Sequence, residues 1–206
     1  MKNKRGIGLI TIGIVFIFAA AGLSLYNHIE EKNAEISSAK ATEILENEII
    51  IKQDFEIYEN AAEENIPDYI LNPKMDMPEA EIDGVGYIGT LEIPKIGLVL
   101  PVISEWSYPN LKIAPCRYFG SVYLDNMVIA GHNYKSHFKE LESLSAGDSV
   151  IFRDVDGNEF LYLIGAKEIL PPTAIEEMTS GEWDFTLFTC NRTRTYRIAI
   201  RCDRAE

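Results

Sequence analysis

The first hydrophobic feature of the chain is an uncharged, apolar run from Gly6 to Leu25 that follows three basic residues. A helix of about 20 apolar residues is long enough to span the hydrocarbon core of a membrane. Positive charges that precede such a span tend to stay in the cytoplasm. The pattern therefore predicts a cytoplasmic stub and transmembrane signal-anchor over residues 1–25, a single pass that places the rest of the chain outside the cell.

A cleaved signal peptide is the competing interpretation of this run. The small residues Ala19-Ala20-Ala21 offer a cleavage site, which would give a mature chain that starts near Gly22. We favour the uncleaved anchor because the apolar run is long. Both interpretations place the bulk of the protein outside the cytoplasm.

Residues 26–83 combine a helical pattern with a proline-rich pattern. Up to about residue 65 the segment is rich in Glu, Ala, Ile and Lys, which predicts one or two acidic helices. We interpret them as a spacer that can also pack on the folded domain. The stretch Ile66–Gly84 carries three prolines and is interpreted as a linker or an irregular wrap. The apolar positions of the helical stripe include Ile29, Ile36, Leu45 and Ile49.

From Gly84 onward the pattern changes to short β-rich runs that are broken by Gly and Pro. The stretch "SHFKELESL" predicts one short helix, and Asp156-Gly157 predicts the turn of a hairpin. The runs add up to about eight strands with little helix, which indicates a closed β-barrel. The predicted fold is therefore mainly β, an eight-stranded barrel over residues 84–206 that follows the anchor and the acidic helical segment.

Charge is distributed unevenly along the chain, whose formal net charge is −13. Residues 30–83 hold 16 acidic and 4 basic side chains, whereas residues 84–206 hold 16 acidic and 12 basic ones. Phosphate contacts require a basic surface, so this composition argues against a nucleic-acid partner.

The chain has three cysteines, which are Cys116, Cys190 and Cys202. An odd number outside the cell leaves at least one free thiol or an intermolecular bridge, and the sequence leaves a disulfide between Cys116 and Cys202 open. No Cys-x-x-Cys or Cys/His spacing indicates a metal site, so we expect neither a metal nor another cofactor.

The stretch "TLFTCNRTRTYRIAIRC" at 186–202 places Cys190 at the end of a predicted strand, followed by four arginines. Nearby positive charge lowers the pKa of a thiol and activates it as a nucleophile. The alternative is a small core cysteine beside a solvated basic edge.

Two further residues are candidates for the same chemistry. His132 ends the apolar strand of "VIAGHN", where a strand-to-loop junction places a side chain at a barrel rim, although a surface histidine fits the same pattern. Arg197 lies on the strand after Cys190, so a hairpin could bring it back beside the thiol as an oxyanion donor. Arg192 and Arg194, in the turn, are its rivals.

These motifs resemble those of the sortases. Thr186, Leu187, Thr189 and Cys190 match the family's Thr-Leu-x-Thr-Cys motif, and an arginine follows on the next strand. "VIAGHN" resembles the strand that ends in the family's histidine, "GTLEIPKIGLVLPV" the opening strands, and "FKELESLSAGDSVIF" the helix and the strand after it. The resemblance extends over roughly residues 85–204 and implies a sortase-like barrel.

The resemblance also implies a reaction, which is transpeptidation of secreted proteins that carry an LPXTG-like sorting signal. Cys190 would form a thioacyl intermediate, His132 would transfer protons and Arg197 would hold the substrate and the oxyanion. The acceptor would be an amine of a peptidoglycan cross-bridge or a pilin lysine. The expected substrate-binding residues are Thr189, Ile169, Ala174 and Ile175. The sortase subclass stays open.

Two alternatives remain at this point. An extracytoplasmic cysteine peptidase or amidase would use the same three residues with water as the acceptor. A non-enzymatic anchored β-barrel would bind a partner, with Cys190 merely buried.

Overall fold

The computed structural model describes residues 2–59, 66–191 and 193–205. The chain begins with one long helix, α1 (Lys2–Glu59). It is the one helix of the described residues that is long and apolar enough to cross a membrane. Its apolar N-terminal part makes no core contacts, and Phe18, for example, is 73% exposed.

The second half of α1 packs along the barrel, against the strands β1 (Ala80–Ile82), β2 (Val85–Ile93) and β3 (Leu98–Ile103). The buried face differs from the predicted stripe, because Ile29 and Ile36 are exposed while small residues join the core. Small side chains let the helix approach the sheet closely. The buried positions recur at helical spacing and are Ala34, Ser38, Ala41, Leu45 and Ile49.

Polar contacts fix α1 along its length. Near the C-terminal end, Lys52 pairs with Asp156 at 3.0 Å and Gln53 donates to the Gly157 carbonyl at 3.0 Å. Farther back, Lys40 pairs with Asp83 at 2.6 Å. The acidic segment up to Glu59 belongs to one continuous helix, which agrees with the one or two helices expected.

The proline-rich segment after α1 wraps the barrel. It contains the short helix α2 (Asp68–Leu71), in which Tyr69 stacks on Tyr123 with 4.8 Å between ring centroids. Met77 is buried in the main core. Tyr69 and Met77 therefore hold this segment against the barrel.

Eight strands close into a barrel, as predicted. In sequence they are β2, β3, β4 (Cys116–Phe119), β5 (Met127–Ala130), β6 (Ser149–Asp154), β7 (Glu159–Leu170), β8 (Phe185–Cys190) and β9 (Arg197–Arg204). Their spatial order is β2-β3-β4-β5-β8-β9-β7-β6, and pairing of β6 with β2 closes the ring. Strand β1 pairs with β2 outside this ring. The pairs β3–β4 and β5–β8 are parallel, and the other pairs are antiparallel.

Short helical turns connect the strands. The predicted helix near residue 140 is a 3₁₀ helix (Lys139–Ser143), and its flanking residues Phe138 and Leu144 are fully buried with Leu141. Gly157 has φ of 87° in the β6–β7 turn, a conformation that glycine adopts readily, so the predicted hairpin is present. The remaining helical turns are Pro94–Ile96, α3 (Tyr108–Leu111), Val122–Leu124 and α4 (Ile175–Thr179).

Candidate active site

The parallel pairing of β5 with β8 brings His132 and Cys190 to one rim of the barrel. Ala130 pairs with Phe188, and the Gly131 amide donates to the Phe188 carbonyl at 3.0 Å. His132 follows directly, and Cys190 ends β8, so both side chains line the same groove. A Cβ at Gly131 would lie 2.3 Å from the Phe138 ring, which explains the glycine.

The β8–β9 hairpin brings Arg197 alongside the thiol. Cys190 and Arg197 are direct partners in the strand register, and both line this groove. The Arg197 guanidinium makes a long 3.5 Å contact to the Tyr196 carbonyl. Arg194 is exposed in the turn, and Arg192 lies outside the described residues. Arg197 is therefore the arginine that pairs in register with Cys190 and lines the same groove.

Arg201, which is also on β9, has a buried environment that differs from that of Arg197. It is 3% exposed and pairs with Glu168 at 2.8 Å. Its guanidinium also donates to the Glu177 carbonyl at 2.6 Å, which joins β9 to α4. Burial beneath α4 excludes Arg201 from the rim.

Asn133 connects the two loops of the site and was not singled out from the sequence. Its side-chain amide donates to the backbone carbonyl of Cys190 at 2.7 Å. The loop that carries His132 is thereby tied to the end of the strand that carries the thiol. The signal in the sequence was its position directly after the candidate histidine.

The ring of His132 belongs to a row of three neighbouring rings with Tyr134 and His137. The His132 ring lies 4.7 Å from that of Tyr134, which lies 5.5 Å from that of His137. Burial lowers the pKa of His137 to about 4, with a smaller contribution from His132. A contact with the Ile113 backbone raises the pKa of His137 and offsets part of this decrease. Its geometry is not that of a normal hydrogen bond, and among the described residues neither ring nitrogen of His137 has a hydrogen-bond partner.

Burial also lowers the pKa of His132, and the positive charges of Arg194 and Lys112 act in the same direction. Glu30, on α1, partly opposes them. A lowered pKa favours the neutral imidazole at neutral pH, and a neutral imidazole can accept a proton. The electrostatics therefore suit a general base at this position.

One side of the thiol opens into a groove of about 250 Å³, which we call the apolar groove. Its aromatic residues form an edge-to-face series in which ring centroids are 5.7 Å apart for Trp106–Tyr118 and 5.3 Å for Tyr118–Phe188. The β7–β8 connection forms its wall. The lining residues besides His132, Cys190 and Arg197 include Trp106, Tyr108, Tyr118, Pro171, Pro172, Ala174, Ile175, Met178, Phe188 and Thr189.

Three of the four expected substrate-binding residues, Thr189, Ala174 and Ile175, line the apolar groove. Ile169 does not line it: it lies on β7, pairs with Ile198 and is 71% exposed. The strand β7 extends to Leu170, so Ile169 precedes the connection that forms the groove wall.

The thiol also lines a second, larger groove of about 670 Å³, which we call the basic groove. This groove shares Tyr108, His132, Cys190 and Arg197 with the apolar groove. The thiol therefore lines two grooves of different chemistry. The charged residues of the basic groove are Lys112, Lys139, Arg194, Arg197 and Glu30.

The two other cysteines belong to the core. Cys116 and Cys202 are fully buried and free, so no disulfide joins them, while Cys190 is half-buried. Burial raises the pKa of Cys116 to about 12 and raises that of Cys202 as well. Both stay protonated thiols at neutral pH, so the description of a small core cysteine fits them and not Cys190. The described residues contain no cluster of three or more His, Cys, Asp or Glu side chains arranged to hold a metal ion.

Comparison with known proteins identifies the family. A model of the sortase domain matches residues 91–205, more than half of the chain, so the protein belongs to the sortase family, whose members are cysteine transpeptidases. Sortase A of Bacillus anthracis is 24% identical over 202 residues, which cover 91% of this chain and 89% of that protein.

Solved structures agree on the fold. Sortase C1 from Streptococcus suis has a TM-score of 0.50 at 25% identity, over 58% of this chain and 73% of that one. Clostridium perfringens sortase C with its C-terminal cell wall sorting motif has a TM-score of 0.53 at 22% identity, over 81% and 90% of the two chains.

Proposed function

We propose that the protein is a membrane-anchored sortase that cleaves an LPXTG-like sorting signal on secreted proteins and transfers them to an amine acceptor of the cell wall or a pilin. The observation that carries the proposal is the meeting of Cys190, His132 and Arg197 at one rim of the barrel, where two grooves open. Family membership supports the reaction class.

The three rim residues have distinct roles in the proposed reaction. The Cys190 sulfur attacks the Thr carbonyl of the signal, a C–S bond forms, and the peptide C–N bond breaks. His132 takes the proton of the Cys190 thiol, gives it to the leaving amine, and later takes a proton from the acceptor amine. Arg197 donates to the oxyanion of each tetrahedral intermediate.

The apolar groove suits the Leu-Pro part of such a signal. Its aromatic rings and the Pro171-Pro172 wall offer an apolar surface beside the thiol. The Clostridium perfringens neighbour, which was solved with a sorting motif, supports a peptide as the occupant. Thr189, Ala174 and Ile175 are the proposed contacts, and a direct role for Ile169 requires a substrate long enough to reach β7.

The proposed location is the cell membrane, with the barrel outside. An apolar helix N-terminal to the barrel and preceded by basic residues supports this orientation. The proposed division of the chain is an anchor at 1–25, an acidic helical segment at 26–83 and the catalytic barrel at 84–206.

Product analysis tests the proposal. The full chain in detergent micelles is incubated with a panel of sorting-signal peptides, with and without triglycine, and the products are identified by mass spectrometry. We expect cleavage after Thr and a triglycine adduct, both of which Cys190→Ala abolishes. Hydrolysis that is unaffected by added amines would instead identify a peptidase, and the absence of cleavage across the panel would contradict the proposal.

A further inference from the structure

The basic groove has a charge opposite to that of the protein as a whole. The chain carries a formal net charge of −13, yet four cationic side chains and only one carboxylate line this groove. That carboxylate, Glu30, already pairs with Lys112. The cations lie on separate elements, since Lys112 follows α3, Lys139 begins a 3₁₀ helix and Arg194 belongs to the β8–β9 turn. The fold therefore gathers positive charge at this one place beside the thiol.

Apart from Lys112, the cations of this groove have no counterion among the residues that the structure describes. Within residues 2–59, 66–191 and 193–205, no carboxylate lies within 4.0 Å of the charged groups of Lys139, Arg194 or Arg197. Like charges that share a groove repel one another, and an anionic ligand removes that repulsion. A bound anion is therefore the arrangement that satisfies the charges of the groove.

The turn that presents Arg194 is ordered by its own hydrogen bonds. The Asn191 amide donates to the Tyr196 carbonyl at 3.1 Å, and the Tyr196 amide donates back to the Asn191 side chain at 3.1 Å. The Asn191 side chain also donates to the Thr193 hydroxyl at 2.8 Å. Arg194 has φ of 60°, a left-handed conformation that these contacts maintain. These hydrogen bonds hold the backbone on both sides of Arg194 in the turn.

The basic groove and the apolar groove both include His132 and Cys190 in their lining, and their other lining residues differ except for Tyr108 and Arg197. With the acyl chain in the apolar groove, the basic groove is the open approach to the thioester. We propose that it binds the acceptor, and that the acceptor is an amine that also carries a carboxylate or a phosphate, held by Lys112, Lys139 and Arg194. This inference rests on the proposed transpeptidase function and adds the chemical class of the acceptor.

The transfer step balances with the residues present. The acceptor nitrogen attacks the thioester carbon, a C–N bond forms, the C–S bond breaks and the Cys190 thiolate leaves. The amine proton passes to His132 and then to the thiolate. Arg197 is the proposed donor to the oxyanion, and its substitution would also slow peptide cleavage. Lys139 and Arg194 are therefore the residues to substitute in a test of acceptor binding.

The test compares acceptors that differ only in charge. The full chain in micelles receives a cleavable sorting peptide and either triglycine, which has a free carboxylate, or triglycinamide, which has none. We expect half-maximal transfer at a roughly tenfold lower concentration for triglycine, the effect of about two exposed ion pairs. The double variant Lys139→Gln/Arg194→Gln should remove this preference, and the matched control Lys74→Gln/Lys95→Gln, outside the groove, should retain it. Phosphoethanolamine as a third acceptor distinguishes phosphate from carboxylate.

Two results would overturn the inference while the proposed function stands. One is equal use of triglycine and triglycinamide by the unsubstituted chain. The other is a triglycine preference that survives in the double variant. If no peptide is cleaved, the proposed function has failed, and calorimetric titration of triglycine and triglycinamide into the Cys190→Ala chain tests the groove independently. Tighter binding of triglycine, lost in the double variant, supports an anion site, and equal binding of the two peptides contradicts it.

Discussion

The side-chain amide of Asn133 donates a 2.7 Å hydrogen bond to the backbone carbonyl of Cys190. This bond joins the loop after β5 to the end of β8, the two segments that carry the proposed base and nucleophile. Small displacements of reacting groups lower turnover, even when each group is still present. Asn133 is therefore a positioning residue, because its side chain acts through Cys190 and His132.

Removal of this bond should slow turnover more than it affects stability. We expect Asn133→Ala to lower kcat for peptide cleavage about fivefold, with KM nearly unchanged, since loss of one such bond is worth roughly 1 kcal/mol. Steady-state kinetics measures the effect, and the thermal unfolding midpoint is the control. A normal kcat in Asn133→Ala would show that the two loops hold their positions without the bond.

The three thiols should differ sharply in reactivity in the native protein. Cys190 lines both grooves, whereas Cys116 and Cys202 are fully buried and their pKa values are raised by burial. We expect a small methanethiosulfonate reagent to label one thiol rapidly in the native chain and three after denaturation. The rapid phase should disappear in Cys190→Ala and persist in Cys116→Ala. Rapid labelling of Cys190→Ala would mean that a core thiol is accessible.

Substitution of the different arginines near the thiol should have very different effects on turnover. Loss of one oxyanion donor typically costs about 100- to 1000-fold in turnover, which we expect for Arg197→Ala. Arg197→Lys should restore only part of the rate, because a point charge does not reproduce the planar fork. In peptide cleavage, Arg192→Ala and Arg194→Ala should each cost under about tenfold, as screened surface charges do. Steady-state kinetics on the four variants shows which arginine is the oxyanion donor. A large loss of turnover in Arg194→Ala, with nearly normal turnover in Arg197→Ala, would contradict the assignment of Arg197.

Arg201 is expected to affect stability because of its burial. Its partners are Glu168, the Thr186 hydroxyl and the Glu177 carbonyl, and α4 is joined to the barrel through the last of these. Arg201→Met should lower the free energy of unfolding by about 2 kcal/mol, because buried hydrogen-bonding groups lose their partner. Chemical denaturation measures the loss, with the exposed Lys74→Met as the control. An unchanged unfolding free energy would show that the buried guanidinium contributes no net stability.

The protonation of His132 should respond in opposite directions to two neighbouring charges. Arg194 lowers the His132 pKa because a cation disfavours the imidazolium, and Glu30 raises it because an anion favours the imidazolium. Arg194→Gln should therefore raise the pKa of His132, and Glu30→Gln should lower it. NMR titration of labelled histidine in the full chain, assigned with His132→Gln, gives both directions. Shifts of the same sign in the two variants would contradict the electrostatic description.

Local patterns predicted the parts of the fold that depend on neighbouring residues. Strand alternation and the hairpin placed Arg197 opposite Cys190, and the end of an apolar strand placed His132 at the rim. Asp156-Gly157 predicted the β6–β7 turn because the conformation of a tight turn depends on the residues within it.

Contacts between residues that are far apart in the sequence could not be predicted from local patterns. Glu31 accepts from the Lys135 amide across 104 positions. On α1, Ala34 and Ala41 are buried on the same face as Leu45, although such small side chains carry little hydrophobic signal. The burial of Arg201 depends on α4, which the strand pattern of β9 does not encode. Tertiary packing therefore decided which arginine faces the groove and which supports it.

The measurement that tests the central proposal most directly is detection of the acyl intermediate on Cys190. The full chain in micelles is mixed with a sorting-signal peptide, quenched in acid within the first turnovers and analysed by intact-mass and peptide-mapping mass spectrometry. We predict an adduct equal in mass to the peptide up to its Thr, located on Cys190, absent in Cys190→Ala and discharged by triglycine. Peptide cleavage without any adduct, or an adduct on Cys116 or Cys202, would contradict the account.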